Sequence, residues 1–106
     1  MRRGEIWTLQ DKNYASKSRP VVVIQSDKHD VFESIILCLF TTFESDNIST
    51  RVRIEPSVDN GLHRSSYVMT DKIVTVNKSL LGECIGRLSD DDMKAVSEQL
   101  KVILDL

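Results

Sequence analysis

The sequence predicts a mainly β domain, a small and strongly bent β-barrel with a C-terminal α-helix closing one end. Several short segments alternate apolar and polar residues or run continuously apolar, as strands do, and only the last stretch has helical periodicity. A chain of 106 residues with 41% hydrophobic composition can bury one core, so we expect a single domain over residues 1–106. Many short strands with one terminal helix indicate such a barrel.

The first half of the chain contains the clearest strands. Glu5–Leu9 alternates with period two, as a half-buried strand does. Residues 20–25 form a Val/Ile run suited to a strand buried on both faces, and Pro20 fits at its start because proline has no N–H for the ladder. Residues 34–42 predict a second buried strand. Residues 51–55 alternate strictly, so their valine and isoleucine should face the core and their two arginines solvent.

The second half contains a loop, a turn and weaker strands. Residues 43–50 predict an exposed, mobile loop, and Asn60 and Gly61 predict a turn because both tolerate positive φ. Further short strands are predicted at residues 67–70, 73–76 and 84–88.

The final segment predicts a helix. Ser89 is a suitable N-cap with an acidic residue, Asp92, three positions later, and carboxylates are favourable at a helix N-terminus. Apolar residues then recur at helical spacing, at Met93, Val96, Leu100, Ile103 and Leu104.

Composition excludes several classes of protein. With 14 basic and 16 acidic residues the net charge is −2, which argues against a highly basic nucleic-acid arm and against an acidic disordered tail. The longest apolar run, residues 35–40, is far short of the ~20 residues of a membrane span. No secretory signal precedes the first strand, so a cytoplasmic protein without membrane association is expected. Cys38 and Cys84 fit neither a disulfide framework nor a zinc site.

Charge is nevertheless distributed unevenly along the chain. Residues 1–19 contain five basic and two acidic residues, whereas residues 83–106 contain three basic and six acidic ones. A polyanion can therefore bind one region of an acidic protein, although a mixed solvated surface explains the same pattern.

The ends of two strands contain the strongest candidates for catalytic residues. Arg19 precedes the first buried strand, and Thr41 and Thr42 close the second. If these strands pair antiparallel, the arginine and a threonine meet at one rim of the barrel. The alternative interpretation is that the arginine is an ordinary surface residue and that the two threonines are present because threonine favours strands.

Several short blocks follow one another in order over nearly the whole chain. They are Arg3-Gly4-Glu5-Ile6-Trp7, Arg19-Pro20-Val21-Val22-Val23-Ile24-Gln25-Ser26-Asp27, Cys38-Leu39-Phe40-Thr41-Thr42, Asn60-Gly61-Leu62, Val68-Met69-Thr70-Asp71-Lys72-Ile73 and Ile85-Gly86-Arg87-Leu88-Ser89. Taken together, these blocks resemble the MazF/PemK toxins of bacterial toxin–antitoxin pairs.

The resemblance implies an SH3-like barrel that forms a homodimer, cleaves single-stranded mRNA without a metal or other cofactor, and is neutralised by a cognate antitoxin protein. It assigns catalysis to Arg19 and Thr41, with Thr42 as the alternative because the spacing is one residue shorter than in several relatives. Lys17, Ser18, Thr42 and Asp71 are the expected RNA contacts.

Two departures from the family pattern affect the site. Residues 14–18 lack the Glu-Gln-rich loop of many members, and Met69 stands where plasmid-type relatives have an arginine. The proton acceptor stays open among Asp71, Asp27 and the arginine itself, and Tyr14 or Phe43 are candidates for stacking a base. A gyrase-binding toxin of the same fold and a non-catalytic protein-binding barrel are the rival functions.

Overall fold

The computed structural model describes residues 1–10 and 17–106, so the predicted stacking role of Tyr14 lies outside the described residues. Over these described residues, the architecture is one antiparallel sheet of six strands with one C-terminal helix, which confirms the mainly β class. Two 3-10 turns, Asp27–His29 and Lys78–Leu80, link strands. The elements are β1 (Glu5–Leu9), β2 (Arg19–Val23), β3 (Ser34–Thr41), β4 (Arg51–Ile54), β5 (Ser66–Asn77), β6 (Leu81–Arg87) and α1 (Asp90–Leu104).

The strands lie in the order β4-β5-β3-β2-β1-β6, and each neighbouring pair is antiparallel. The two strands predicted at residues 67–70 and 73–76 are one strand, β5. The ladder with β3 shifts between them, because Cys38 opposes Ile73 while Leu39 opposes Met69. Residues 70–72 therefore form an irregularity that separates the two apolar runs, and such bulges bend a sheet.

Both faces of the sheet are covered by apolar side chains. Val21, Val22 and Val23 are all fully buried, as predicted for a strand covered on both sides, and they alternate between two core clusters. Cys38 belongs to the cluster that packs under α1, where burial raises the pKa of its thiol to about 12. The thiol therefore stays protonated and acts as a small apolar side chain.

Helix α1 begins where the sequence predicts, but the last apolar residues of its predicted stripe are partly exposed. Ser89 Oγ accepts a hydrogen bond from the Asp92 N–H at 3.1 Å, and Leu100 packs in the core. Ile103 and Leu104, in phase with that apolar stripe, are 42% and 50% exposed, so the last turn of the helix is less covered than the turns that contain Val96 and Leu100. Within the described ranges, no helix has the length and apolarity to span a membrane.

The predicted turn at Asn60 and Gly61 is a hydrogen-bonded corner packed against β6. The buried Asn60 carboxamide oxygen accepts from the backbone N–H groups of Ser57 and Leu62, both at 3.0 Å. Gly61 has φ +67°, and a Cβ there would lie 2.1 Å from the carbonyl oxygen of Ile85. The glycine is required both by its backbone conformation and by this close approach.

Candidate active site

The pairing of β2 with β3 brings Arg19 and Thr41 together. Val21 opposes Leu39 in the antiparallel ladder, and continuing the same register by two residues places Arg19 opposite Thr41. Facing residues in antiparallel strands have Cα atoms about 4.5–5.5 Å apart. The convergence predicted from the two strand ends is therefore present in the fold.

Both residues line an open groove of about 610 Å³, called here the Arg19 groove. Among residues 1–10 and 17–106, its charged residues are Arg19, Arg64 and Glu44, two cations and one carboxylate. Thr42 and Phe43 line it as well. The described lining is Leu9, Arg19, Pro20, Leu39, Phe40, Thr41, Thr42, Phe43, Glu44, Arg64, Ser66 and Met69.

The two threonines occupy different environments. Thr41 is half-buried, and its Oγ1 accepts a hydrogen bond from the Phe43 N–H at 3.1 Å, which fixes the hydroxyl oxygen. The hydroxyl hydrogen stays available to a ligand in the groove, because an O–H can donate while its oxygen accepts. Thr42 is exposed and follows the end of β3. Thr41 is thus the more rigidly held donor.

Arg19 is exposed at the first position of β2, and no carboxylate among residues 1–10 and 17–106 forms a salt bridge with it. A planar guanidinium in this state can offer its donors to a phosphate. Lys17 and Ser18 are also exposed and lead into Arg19, although neither is part of the groove lining.

Asp71 lies outside the groove lining, in an ion pair with Arg51. Nε of Arg51 donates to Oδ1 at 3.1 Å and Nη2 to Oδ2 at 3.0 Å, and this bidentate contact lowers the pKa of Asp71. The expectation that Arg51 faces solvent is wrong. Its side chain is 16% exposed because the guanidinium is enclosed by Asp71 and the hydroxyl of Ser45.

The loop that follows Thr41 is held to β5 by a buried tyrosine. The Tyr67 hydroxyl donates to Asp46 Oδ1 at 2.6 Å and lies 3.2 Å from Glu44 Oε1. The hydrogen bond to the Asp46 carboxylate, together with burial, raises the pKa of Tyr67 to about 12, so the hydroxyl stays a donor. The loop predicted at residues 43–50 is present, and Ser45 within it is buried.

Sequence reasoning missed the polar groove residues Glu44, Arg64 and Ser66. Glu44 and Arg64 belong to loops whose place in the fold depends on strand pairing, and Ser66 lies on β5 beside the end of β3. Met69 holds the position where plasmid-type relatives have an arginine, and it does line the groove. The one available signal was the Thr41-Thr42-Phe43-Glu44 sequence itself, since consecutive residues after a site residue share its surroundings.

Comparison with known proteins gives one consistent result. The sequence profile described as "PemK-like, MazF-like toxin of type II toxin-antitoxin system" matches residues 2–104. The chain is 40% identical to a probable endoribonuclease MazF of Mycolicibacterium smegmatis, covering 100% of this chain and 98% of that one. It is 32% identical to an endoribonuclease MazF of Staphylococcus saprophyticus, with 100% and 92% covered.

A similar solved structure is a mycobacterial endoribonuclease in complex with its cognate antitoxin. The TM-score is 0.86 and the identity 25%, and the alignment covers 100% of this chain and 96% of that one.

Proposed function

The chain belongs to the PemK-like, MazF-like toxins of type II toxin–antitoxin systems, and on that premise we propose how its groove cleaves RNA. As an endoribonuclease of this family, it acts on single-stranded RNA through Arg19 and Thr41, in a sequence-selective manner and without a metal. The observation that carries the proposal is the convergence of these two side chains in one open groove, where the arginine has no described carboxylate partner. The compartment proposed is the cytoplasm, where mRNA is available.

The chemistry requires a phosphate held in line with the neighbouring ribose. The 2′-OH attacks the adjacent phosphorus as it loses its proton, the bond from phosphorus to the 5′-oxygen breaks, and that oxygen is protonated. The products are a 2′,3′-cyclic phosphate and a 5′-OH. Arg19 stabilises the charge that develops on the equatorial oxygens, and the Thr41 hydroxyl donates to a phosphate oxygen or to the leaving oxygen.

Single-stranded RNA fits this groove better than a duplex does. A-form RNA hides its base edges in a narrow major groove, whereas a single strand can present splayed bases and its backbone together. Lys17, Ser18 and Thr42 are proposed to contact the RNA next to the scissile phosphate. Asp71 remains a predicted RNA contact outside the groove, and its pairing with Arg51 makes it a weak proton acceptor.

The decisive experiment is cleavage of purified RNA in EDTA by the wild type and by Arg19→Ala. We expect cleavage by the wild type, fragments with 2′,3′-cyclic phosphate ends by mass spectrometry, and a rate loss of about 10²–10³-fold in the variant. Arg19→Lys should also be slow because a point charge does not replace the bidentate fork. Arg87→Ala, an exposed arginine outside the groove, is the matched control.

Three results would overturn the proposal. They are 5′-phosphate ends, activity that EDTA abolishes and magnesium restores, or an Arg19→Ala variant as fast as Arg87→Ala. No cleavage at all would favour the gyrase-binding or protein-binding alternatives.

We further propose a homodimer formed through an exposed apolar surface. Phe32, Ile36, Ile73 and Leu104 line one depression, in which Phe32 is 57% and Leu104 50% exposed. Exposed apolar clusters of this kind are typical of interfaces. Phe32→Asp should lower the molar mass measured by light scattering from two chains to one, and a monomeric wild type would refute this interface.

An acidic antitoxin segment is proposed as the inhibitor. Arg19 and Arg64 in the groove, with the exposed Lys17 leading into Arg19, attract a chain of Asp and Glu as they attract phosphates. The basic residues Arg2 and Arg3 lie at the other end of β1, where Arg2 pairs with Asp27 and Arg3 donates to Ser97 Oγ. Such a segment orders as it binds and occupies the path of the RNA.

A further inference from the structure

Among the described residues, the lining of the Arg19 groove includes one carboxylate, that of Glu44, beside two arginines. A carboxylate repels a polyanion unless it accepts a hydrogen bond from it. In the part of the chain that the structure describes, no cation forms a salt bridge with Glu44. The carboxylate therefore remains an acceptor within a site that otherwise favours phosphates.

Glu44 is held in a fixed orientation by donors from its own loop and from β5. Its Oε1 accepts a hydrogen bond from the Asp46 N–H and lies 3.2 Å from the Tyr67 hydroxyl. Oε2 has no hydrogen-bond partner among the described residues, which leaves it as the acceptor for a ligand. A carboxylate oxygen can only accept, so this position selects a ligand group that carries an N–H or O–H donor.

Phe43 provides an aromatic surface next to this acceptor. Its side chain is 78% exposed and lines the groove, although large apolar residues are usually buried. Its backbone is fixed on both sides, because its N–H donates to Thr41 Oγ1 at 3.1 Å and its carbonyl accepts from Ser45 Oγ at 2.9 Å. An exposed ring on a fixed backbone is what stacking of an unpaired base requires.

We propose that Phe43 and Glu44 form a base-recognition subsite, in which Phe43 stacks a nucleobase and Glu44 Oε2 accepts a hydrogen bond from its exocyclic amino group. The subsite takes a base with an exocyclic amino group, which adenine, cytosine and guanine all carry, and it disfavours uracil, which has none. The inference rests on the endoribonuclease function proposed above.

The recognised base belongs to a nucleotide beside the scissile phosphate. Glu44 is three residues from Thr41, and three residues of chain span at most about 11 Å. The selected position should therefore lie immediately next to the cleaved bond.

The test is cleavage of an RNA pool with random bases around the cut, followed by sequencing of the new 5′ ends. We expect wild type to disfavour uracil at one position next to the cut. Glu44→Gln keeps an oxygen for the Asp46 and Tyr67 donors and places an amide N–H₂ at the position of Oε2. Preference at that position should shift toward uracil, whose carbonyl oxygens accept from the amide, changing relative kcat/KM by about 5- to 100-fold.

Two further variants distinguish base recognition by Glu44 from an effect of net charge and from an effect of the Tyr67 contact that holds the loop. Glu98→Gln, on the exposed side of α1, makes the same change in charge and should leave the base preference unchanged. Tyr67→Phe removes the hydroxyl near Oε1 while keeping the carboxylate, so it should weaken the preference without reversing it.

Each other outcome has a defined meaning. If wild type and Glu44→Gln cut with the same base preference, the subsite is refuted while the endoribonuclease function stands. A uniform loss of rate with an unchanged preference would assign Glu44 to proton transfer and also refute the subsite. If wild type cleaves no RNA, both proposals fail together.

Discussion

Replacement of Thr41 by valine is the sharpest test of how the groove works. Valine keeps the β-branched shape at the end of β3 and removes only the hydroxyl, which contributes two contacts. As an acceptor, Oγ1 binds the Phe43 N–H at 3.1 Å; as a donor, the hydroxyl is proposed to bind the reacting phosphate group. Loss of the first contact should have a small effect on stability, whereas loss of the second should have a large effect on the rate of cleavage.

The structural effect should be small. The hydrogen bond from the Phe43 N–H to Thr41 Oγ1 is exposed, so water can replace the lost acceptor, and the free energy of unfolding should fall by about 1 kcal/mol or less. Loss of one donor to a developing negative charge costs about 3–4 kcal/mol in the transition state, which corresponds to about 10²–10³-fold in kcat. Thr41→Val should therefore be folded and nearly inactive.

Single-turnover cleavage of a short RNA, with thermal unfolding measured in parallel, checks this expectation. Thr41→Ser retains the hydroxyl, so its kcat should stay within about tenfold of the wild-type value. That loss is well below the one expected when the donor is removed. Thr42→Val removes a neighbouring exposed hydroxyl and should also be mild. If Thr42→Val is the slow variant and Thr41→Val is normal, Thr42 is the catalytic residue and our reasoning from the Phe43 contact is refuted.

Three further expectations concern stability, pH and inhibition. Gly61→Ala should destabilise the fold by about 2 kcal/mol or more in urea unfolding, because of its positive φ and the Ile85 carbonyl 2.1 Å from the new Cβ; an unchanged midpoint would contradict this corner. Arg51 lowers the pKa of Asp71, so the stabilisation by this pair is present above the ordinary carboxyl pKa of 3.8 and is lost as the pH falls through the lowered folded value. Asp71→Asn should therefore lower the free energy of unfolding at pH 7 and lower it much less in strong acid. An equal loss at both pH values would show that the ion pair is not the cause of the lost stability. An acidic antitoxin segment and an uncleavable 2′-deoxy substrate should compete for the groove. Inhibition by the segment should weaken as salt is added, because interactions between exposed charges are screened beyond about 8–10 Å at physiological ionic strength. Simultaneous binding of both ligands at full affinity would exclude occlusion of the RNA path.

Local patterns predict much of this fold because most of its elements are determined by nearby residues. The alternation of Glu5–Leu9 gives β1 with its observed bounds, and Ser89 begins α1 as its capping role requires. β5 was predicted as two strands because polar residues separate its two apolar runs, and the structure joins them because both runs pair with β3 on either side of the irregularity at residues 70–72. Strand pairing between distant segments is what a single sequence leaves undetermined.

The same distinction applies to the site. Arg19 and Thr41 were predicted because each lies at the end of a clear strand, and one antiparallel pairing brings them together. The Arg51–Asp71 ion pair required knowledge that β4 lies beside β5, which no local pattern indicates. Arg64 enters the groove from a loop whose path depends on that same pairing.

The position of Arg19 opposite Thr41 depends on the core that covers β2 on both faces. In a strand with alternating faces, a register slip of one residue moves every side chain to the opposite side. Val22 packs under α1, and Val21 and Val23 pack in the other cluster, so a slip would exchange positions between two differently shaped cores. Both clusters oppose such a slip, and each therefore fixes the register that continues to Arg19. Preorganisation of the groove is thus a consequence of core packing in β2 and β3, and the exposed arginine needs no buried partner to be placed beside Thr41.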